Sequence, residues 1–254
     1  MAHRPSISRS LAYFAAAFVS MLFLATSVVG QEYKSLFNGK DLSGWTGDPK
    51  LWKVEDGKIV GSTKGVTLEA NTFLIAEGID VENFHLTLRL RMSGTNNSGI
   101  MYRAQEVEDV PYALSGPQMD IHPKPEYQGM YYSEKTGRGI VAQRGQKVLV
   151  PADLNAKGKT TPQVRGKLET EPAFDLSEWN TYEVIAMGRR SVHKINGVTT
   201  VEVVDRDPTT VLNGLIGLQL HRGTEMGIEV KNIKLRNGIR AAEARELIEK
   251  KKMK

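Results

Sequence analysis

From Tyr33 to Arg236 strand signals dominate, and the two-residue hydrophobic period of these strands constrains the fold more than any other feature of the chain. FHLTLRLRM is the clearest case: Phe84, Leu86, Leu88, Leu90 and Met92 fall on one side, His85, Thr87, Arg89 and Arg91 on the other. Strand side chains alternate between faces, so such a segment is a strand with one buried face. LWKVEDGKIVGS contains two such runs about Asp56-Gly57, which predicts a hairpin. NTYEVIAMGRRSVHKINGVTTVEVV reads as three strands joined at Gly188-Arg189 and Asn196-Gly197. GLIGLQLH and GIEVKNIKLR read as a closing pair around residues 222–226. About a dozen strands at this spacing predict a single-domain, all-β sandwich or barrel. Residues 152–178 lack any period and read as a long loop.

The two ends differ from this body. Arg4 and Arg9 precede the apolar run from Leu11 to Leu24, and small residues follow up to Gly30. That layout predicts a signal peptide over residues 1–30, an uncleaved membrane anchor being the alternative. Export implies a secreted or periplasmic protein with no membrane association after cleavage. The chain has no cysteine, so neither a disulfide nor a lipoprotein anchor holds it. Residues 31–237 form the expected domain, and 238–254 a charged, helix-prone tail, IRAAEARELIEKKKMK. Net charge is +5, and removal of the leader takes Arg4 and Arg9 with it, leaving +3. An excess that small argues against a nucleic-acid partner. Oligomeric state is not legible.

Several catalytic constellations are missing. There is no GxSxG elbow, no glycine-rich phosphate loop and no Glu-x-Asp-x-x-Glu strand of the sandwich-fold glycanases. What remains is a set of strands with one polar face. In GPQMDIH, Gln118, Asp120 and His122 oppose Met119 and Ile121; in GLIGLQLH, Gln219 and His221 oppose Leu218 and Leu220. In NSGIMYRAQ, Arg103 shares a face with Met101. On one concave sheet these six polar residues would offer amides, imidazoles, a carboxylate and a guanidinium, a set suited to sugar hydroxyls. An ordinary solvated sheet face is the competing reading. Trp45, Trp52 and Trp179 read as core edge, His85 as surface and His193 as structural.

SLFNGKDLSGW, LWKVEDGKIVGS, NSGIMYRAQ, GPQMDIH, EWNTYEVIAMGRRSVHKINGV and GLIGLQLHRG…IEVKNIKLR occur in that order. Together they resemble the 3-keto-disaccharide hydrolase family over residues 33–237. The resemblance implies a concanavalin-like jelly roll acting on a small-molecule or oligosaccharide 3-keto-glycoside, by proton abstraction at C2 and elimination at C1, with or without hydration of the glucal. It implies Asp120 or His122 as the proton-handling group, His221 as a second candidate and Arg103 as the oxyanion stabiliser. Gln118 and Gln219 would orient hydroxyls, and Tyr132, Glu134, Arg138 and Arg144 would complete the site. No cofactor is established; a divalent metal on Asp120 and His122 is left open, since two ligands do not define a site. A lectin-like, non-catalytic jelly roll is the alternative.

Overall fold

The computed structural model describes Met1 and residues 32–155 and 158–250. The expected leader falls almost wholly outside the described residues. The chain forms a β-sandwich with one short helix at its C-terminal end, as the alternation predicts.

The larger sheet takes β1 (Lys34–Ser35), β3 (Trp52–Glu55), β4 (Lys58–Ser62), β6 (Phe84–Gly94), β11 (Gln146–Val150), β12 (Gln163–Lys167), β13 (Asn180–Met187), β14 (Arg190–Ile195), β15 (Val198–Asp205) and β17 (Met226–Asn237). The smaller takes β2 (Trp45–Thr46), β5 (Thr72–Ala76), β7 (Ser98–Glu106), β8 (Leu114–Ile121), β9 (Tyr131–Glu134), β10 (Gly139–Ala142) and β16 (Leu215–Leu220), in the order β10-β9-β8-β7-β16-β5-β2.

The core lies between the sheets. Leu86, Leu88 and Leu90 of β6 and Val184 of β13 enter it from one side, and Ile100, Met119, Ile121, Leu218 and Leu220 from the other. Each buried Leu or Ile side chain stabilises by roughly 1.5–3 kcal/mol, which is how a chain without crosslinks is held together. The predicted hairpins form. Asp56 and Gly57 both take positive φ (47° and 69°), and β13, β14 and β15 run consecutively antiparallel through the turns at Gly188 and Asn196-Gly197.

Four expectations are corrected. β16 and β17 are not a pair: residues 221–225 carry the chain from the smaller sheet to the larger. The loop expected at 152–178 holds an edge strand, β12, which pairs with β11. His85 is buried rather than at the surface. Tyr33 covers it edge-on, with its hydroxyl 2.6 Å from Nδ1, and Glu183 lies 3.0 Å from Nε2. Trp179 is no core-edge residue; the cationic groups of Arg89, Arg91 and Lys231 stand over its ring. His193 is structural as expected, buried between the Tyr102 hydroxyl and the Gly129 carbonyl.

The tail forms α1 (Ala241–Glu249). Ala244 joins Ile185, Val192 and Ile239 in a small cluster on the outer face of the larger sheet. The buried Lys194 ammonium donates to the carbonyls of Leu247, Ile248 and Lys250, satisfying the helix end with a cation.

Candidate active site

The outer face of the smaller sheet is divided in two. One half is filled by Phe73, Ile75, Met101, Ala104 and Leu114, a second apolar cluster. The other half is a polar cleft of about 540 Å³, and pleating and register explain its contents. Gly99 pairs with Asp120, Met101 with Gln118, and Gln118 with Tyr132. Leu218 pairs with Ile100, so its successor Gln219 stands beside Gly99. Gln219, Gly99 and Asp120 thus form one row across three neighbouring strands, with Gln118 and Tyr132 in the next.

Gly99 provides the space in that row. A methyl group there would fall 2.2 Å from Gln118 Cδ, so only glycine lets the Gln118 amide lie across the floor. Gln118 Nε2 donates to Asp120 Oδ1 at 2.5 Å, while the buried Gln118 Oε1 has no partner among the described residues. Gln219 is fully buried, and among the described residues neither its amide nitrogen nor its amide oxygen has a partner. Buried polar atoms are almost always hydrogen-bonded, so three orphaned amide atoms lining one cleft mark a surface built to meet a ligand.

Asp120 is 2% exposed. Burial pushes its carboxyl up to about 7; the Gln118 amide opposes that rise, and Glu134 adds to it. Among the described residues no cation pairs with it. The result is a carboxylic acid poised to exchange a proton near neutral pH.

Two imidazoles stand at the mouth, and their backbone partners fix opposite tautomers. His221 Nδ1 lies 2.6 Å from the Arg222 carbonyl, which can only accept, so Nδ1 carries a proton, and in the neutral ring Nε2 is the nitrogen with the lone pair. His122 Nδ1 accepts from the Lys124 amide at 3.0 Å, so its Nε2 carries the proton. Burial, then Lys124, holds the His122 pKa below its ordinary value, with a smaller downward contribution from His221. The ring of Tyr127 meets His122 edge-on at 5.0 Å.

The rim is tied together by asparagines. Asn71 donates to Glu134 at 3.3 Å and accepts from the Arg222 amide at 3.1 Å. Asn96 donates to the carbonyls of His221, Arg222 and Thr224, shaping the crossing loop. These asparagines and Tyr127 were missed from sequence, since loop residues follow no period. Gly99 left a signal: a glycine inside a strand marks close approach of another group.

The cleft therefore assembles Gln118, Asp120, His122, Tyr132, Glu134, Gln219 and His221, as expected. Three expected members are elsewhere. Arg103 sits in a β-bulge that turns it off the cleft face, and its Nε and Nη2 donate to the Glu82 carbonyl. Arg138 pairs with Asp205 at 2.8 Å. Arg144 lies over the Phe174 ring and donates to the carbonyls of Glu171 and Pro172, fastening the loop that precedes β13. Among the described residues no group of three His, Asp or Glu side chains could hold a metal.

The fold has known counterparts. A candidate glycosyl hydrolase from Parabacteroides distasonis superposes with a TM-score of 0.53 at 23% identity, covering 81% of this chain and 93% of that one. The carbohydrate-binding module CBM66 from Bacillus subtilis gives 0.51 at 12% identity over 76% and 96%. In sequence, a 3-keto-disaccharide hydrolase of Bacteroides thetaiotaomicron is 33% identical over 105 residues, which is 35% of this chain and 36% of that protein. The match thus spans about a third of the curated relative. The family model described as the 3-keto-alpha-glucoside-1,2-lyase-like domain matches residues 32–236. The chain belongs to that family.

Proposed function

We propose that the cleft binds a 3-keto-glycoside and expels its C1 substituent after removing the proton from C2. The observation that carries this reading is Asp120: a buried carboxyl without a cation, beside three orphaned amide atoms. A ketone at C3 acidifies the C2 hydrogen. Asp120, as carboxylate, takes that proton, and the bonding electrons form an enolate between C2 and C3. When the enolate collapses, C3 regains its carbonyl, C1 and C2 become doubly bonded, and the C1 substituent leaves with the glycosidic electron pair. Water then adds across the new double bond in a hydrolytic cycle, or the glucal departs in a lyase cycle.

Each remaining group has a role that its geometry allows. The amide of Gln219, which has no partner among the described residues, donates to the enolate oxygen, where charge develops. His122 presents Nε2–H and donates a hydrogen bond to the departing oxygen, which takes up the proton that Asp120 removed from C2; His221 accepts from a hydroxyl or from water. Gln118 Oε1, Glu134 and Tyr132 orient the sugar. No paired carboxylates at glycosidase spacing are needed, which agrees with their absence from the sequence. With its leader, the protein would act outside the cytoplasm.

The test is an assay of purified protein on a 3-keto-glucoside, following the aglycone and the enone absorbance together. Release that vanishes in Asp120→Asn and falls in His122→Ala supports the reading. Measurable binding of unoxidised sugars with no release from any 3-keto-glycoside would leave a non-catalytic carbohydrate-binding jelly roll instead.

A further inference from the structure

Arg103 and Arg138 leave the cleft and meet in a second cavity of about 270 Å³, which Tyr131, Ser133, Thr136 and Asp207 also line. We propose that this cavity binds an oxyanion: a carboxylate, sulfate or phosphate group.

The backbone is shaped to deliver Arg103 there. Met101 pairs with Gln118 and Gln105 with Ser115, so β7 holds one residue more than β8 across the interval. Arg103 takes a positive φ of 49°, uncommon for a residue with a side chain. Two flanking glycines make room for the bulge. A methyl group at Gly116 would stand 3.2 Å from Ala104 Cα, and one at Gly214 would stand 2.4 Å from the Ala104 carbonyl oxygen; both glycines also have positive φ. Without the extra residue, Arg103 would follow Met101 onto the cleft face. Such bulges commonly re-aim a functional side chain.

The two guanidiniums are under-paired. Arg103 is 3% exposed, and the acceptor for its Nε and Nη2 is the Glu82 carbonyl, which carries no full charge. Among the described residues it has no ion pair. Arg138 gives Nη1 to Asp205 and Thr210, but its buried Nη2 has no partner among the described residues. The nearby Asp207 carboxylate is already engaged by Thr209 and Thr160. Lys159 at the rim adds a third cation against these two acids. A buried guanidinium edge without an acceptor is costly, and two oxygens of a carboxylate, sulfate or phosphate match its planar fork. Thr136 donates its hydroxyl proton to Ser133 Oγ at 2.7 Å, which leaves the Ser133 hydroxyl as a further donor.

This inference stands whether or not the cleft acts on sugars. Purified protein is titrated with sodium sulfate, sodium phosphate and sodium glucuronate against sodium chloride at equal ionic strength, by calorimetry and thermal melting. We expect saturable heat and stabilisation from at least one of the three. Preference for glucuronate identifies the carboxylate of an acidic sugar; preference for sulfate or phosphate identifies an inorganic anion. Arg138→Gln should weaken binding at least about tenfold. Because that change also breaks a buried pair, Lys159→Gln at the exposed rim serves as the second variant, with a loss of about two- to fivefold and an unchanged melting temperature. Absence of a saturable response in the native protein would overturn the proposal. So would affinities unchanged in both variants, or binding lost in Asp120→Asn, which would move the anion to the cleft.

Discussion

Both sheets turn polar side chains outward, yet their carboxylates live in opposite circumstances. On the larger sheet Glu229 faces Arg91 at 2.7 Å and Lys58 at 2.9 Å, and Glu183 faces His85 at 3.0 Å. Burial would raise both acids, but these partners outweigh it and hold them below the ordinary carboxylate range. On the smaller sheet the side-chain partners of Asp120 and Glu134 among the described residues are amides, those of Gln118 and Asn71. At Asp120 burial prevails, and its carboxyl rises to about 7. Alternation alone finds both faces. Pairing separates the one that is complete in itself from the one that awaits a ligand.

The largest expected effect breaks the contrast at its centre. Asp120→Asn should lower aglycone release by about a thousandfold, the scale of a lost general base, and should also stabilise the protein at pH 8. The sign follows from the raised pKa. A carboxyl at 3.8 when unfolded and about 7 when folded binds its proton more tightly in the native state. Stability is therefore fullest below pH 4 and falls as pH rises to 7, by something on the order of 4 kcal/mol. The neutral amide escapes that loss. Melting curves at pH 5 and pH 8 check it: the gain should be large at pH 8 and small at pH 5.

Activity carries the same signature. The rate on dilute substrate should climb tenfold per pH unit below 7 and level above it, a profile read directly from initial rates. A pair of glycines sharpens the comparison next. Gly99→Ala displaces the Gln118 amide and should cost about tenfold to a hundredfold in kcat/KM with the fold intact. Gly61→Ala, where a methyl would fall 2.4 Å from the Trp52 ring, should instead lower the melting temperature. Circular dichroism melts alongside kinetics separate the two. The smallest effect is expected on the paired face. Glu229→Gln should leave release unchanged and move stability by less than about 1 kcal/mol, as measured by urea unfolding.

Much of the cleft was legible because strand geometry is local. Gln118, Asp120 and Gln219 follow from alternation, and their opposite neighbours Met119 and Leu218 are in the core as that requires. The sandwich itself follows from the same period. Departures came where a residue's direction depends on distant partners. Arg103 obeys alternation on paper, but one inserted residue, admitted by Gly116 and Gly214, sends it into another cavity. His85 reads as outward-facing until Tyr33 closes over it. Residues 221–225 read as a hairpin turn because nothing in their composition says that the strands on either side belong to different sheets. Arg144 reads as a site cation, and only the path of residues 171–174 shows it fastening a loop.

The central claim is that Asp120 is a buried acid left without compensation so that it can move a proton near neutrality. Carbon-13 NMR of aspartate-labelled protein, titrated from pH 4 to pH 9, tests it most directly. The account predicts one carboxyl with a midpoint near 7, missing from the Asp120→Asn spectrum and shifted when a 3-keto-glucoside is added. Titration of every aspartate below pH 5 would contradict it.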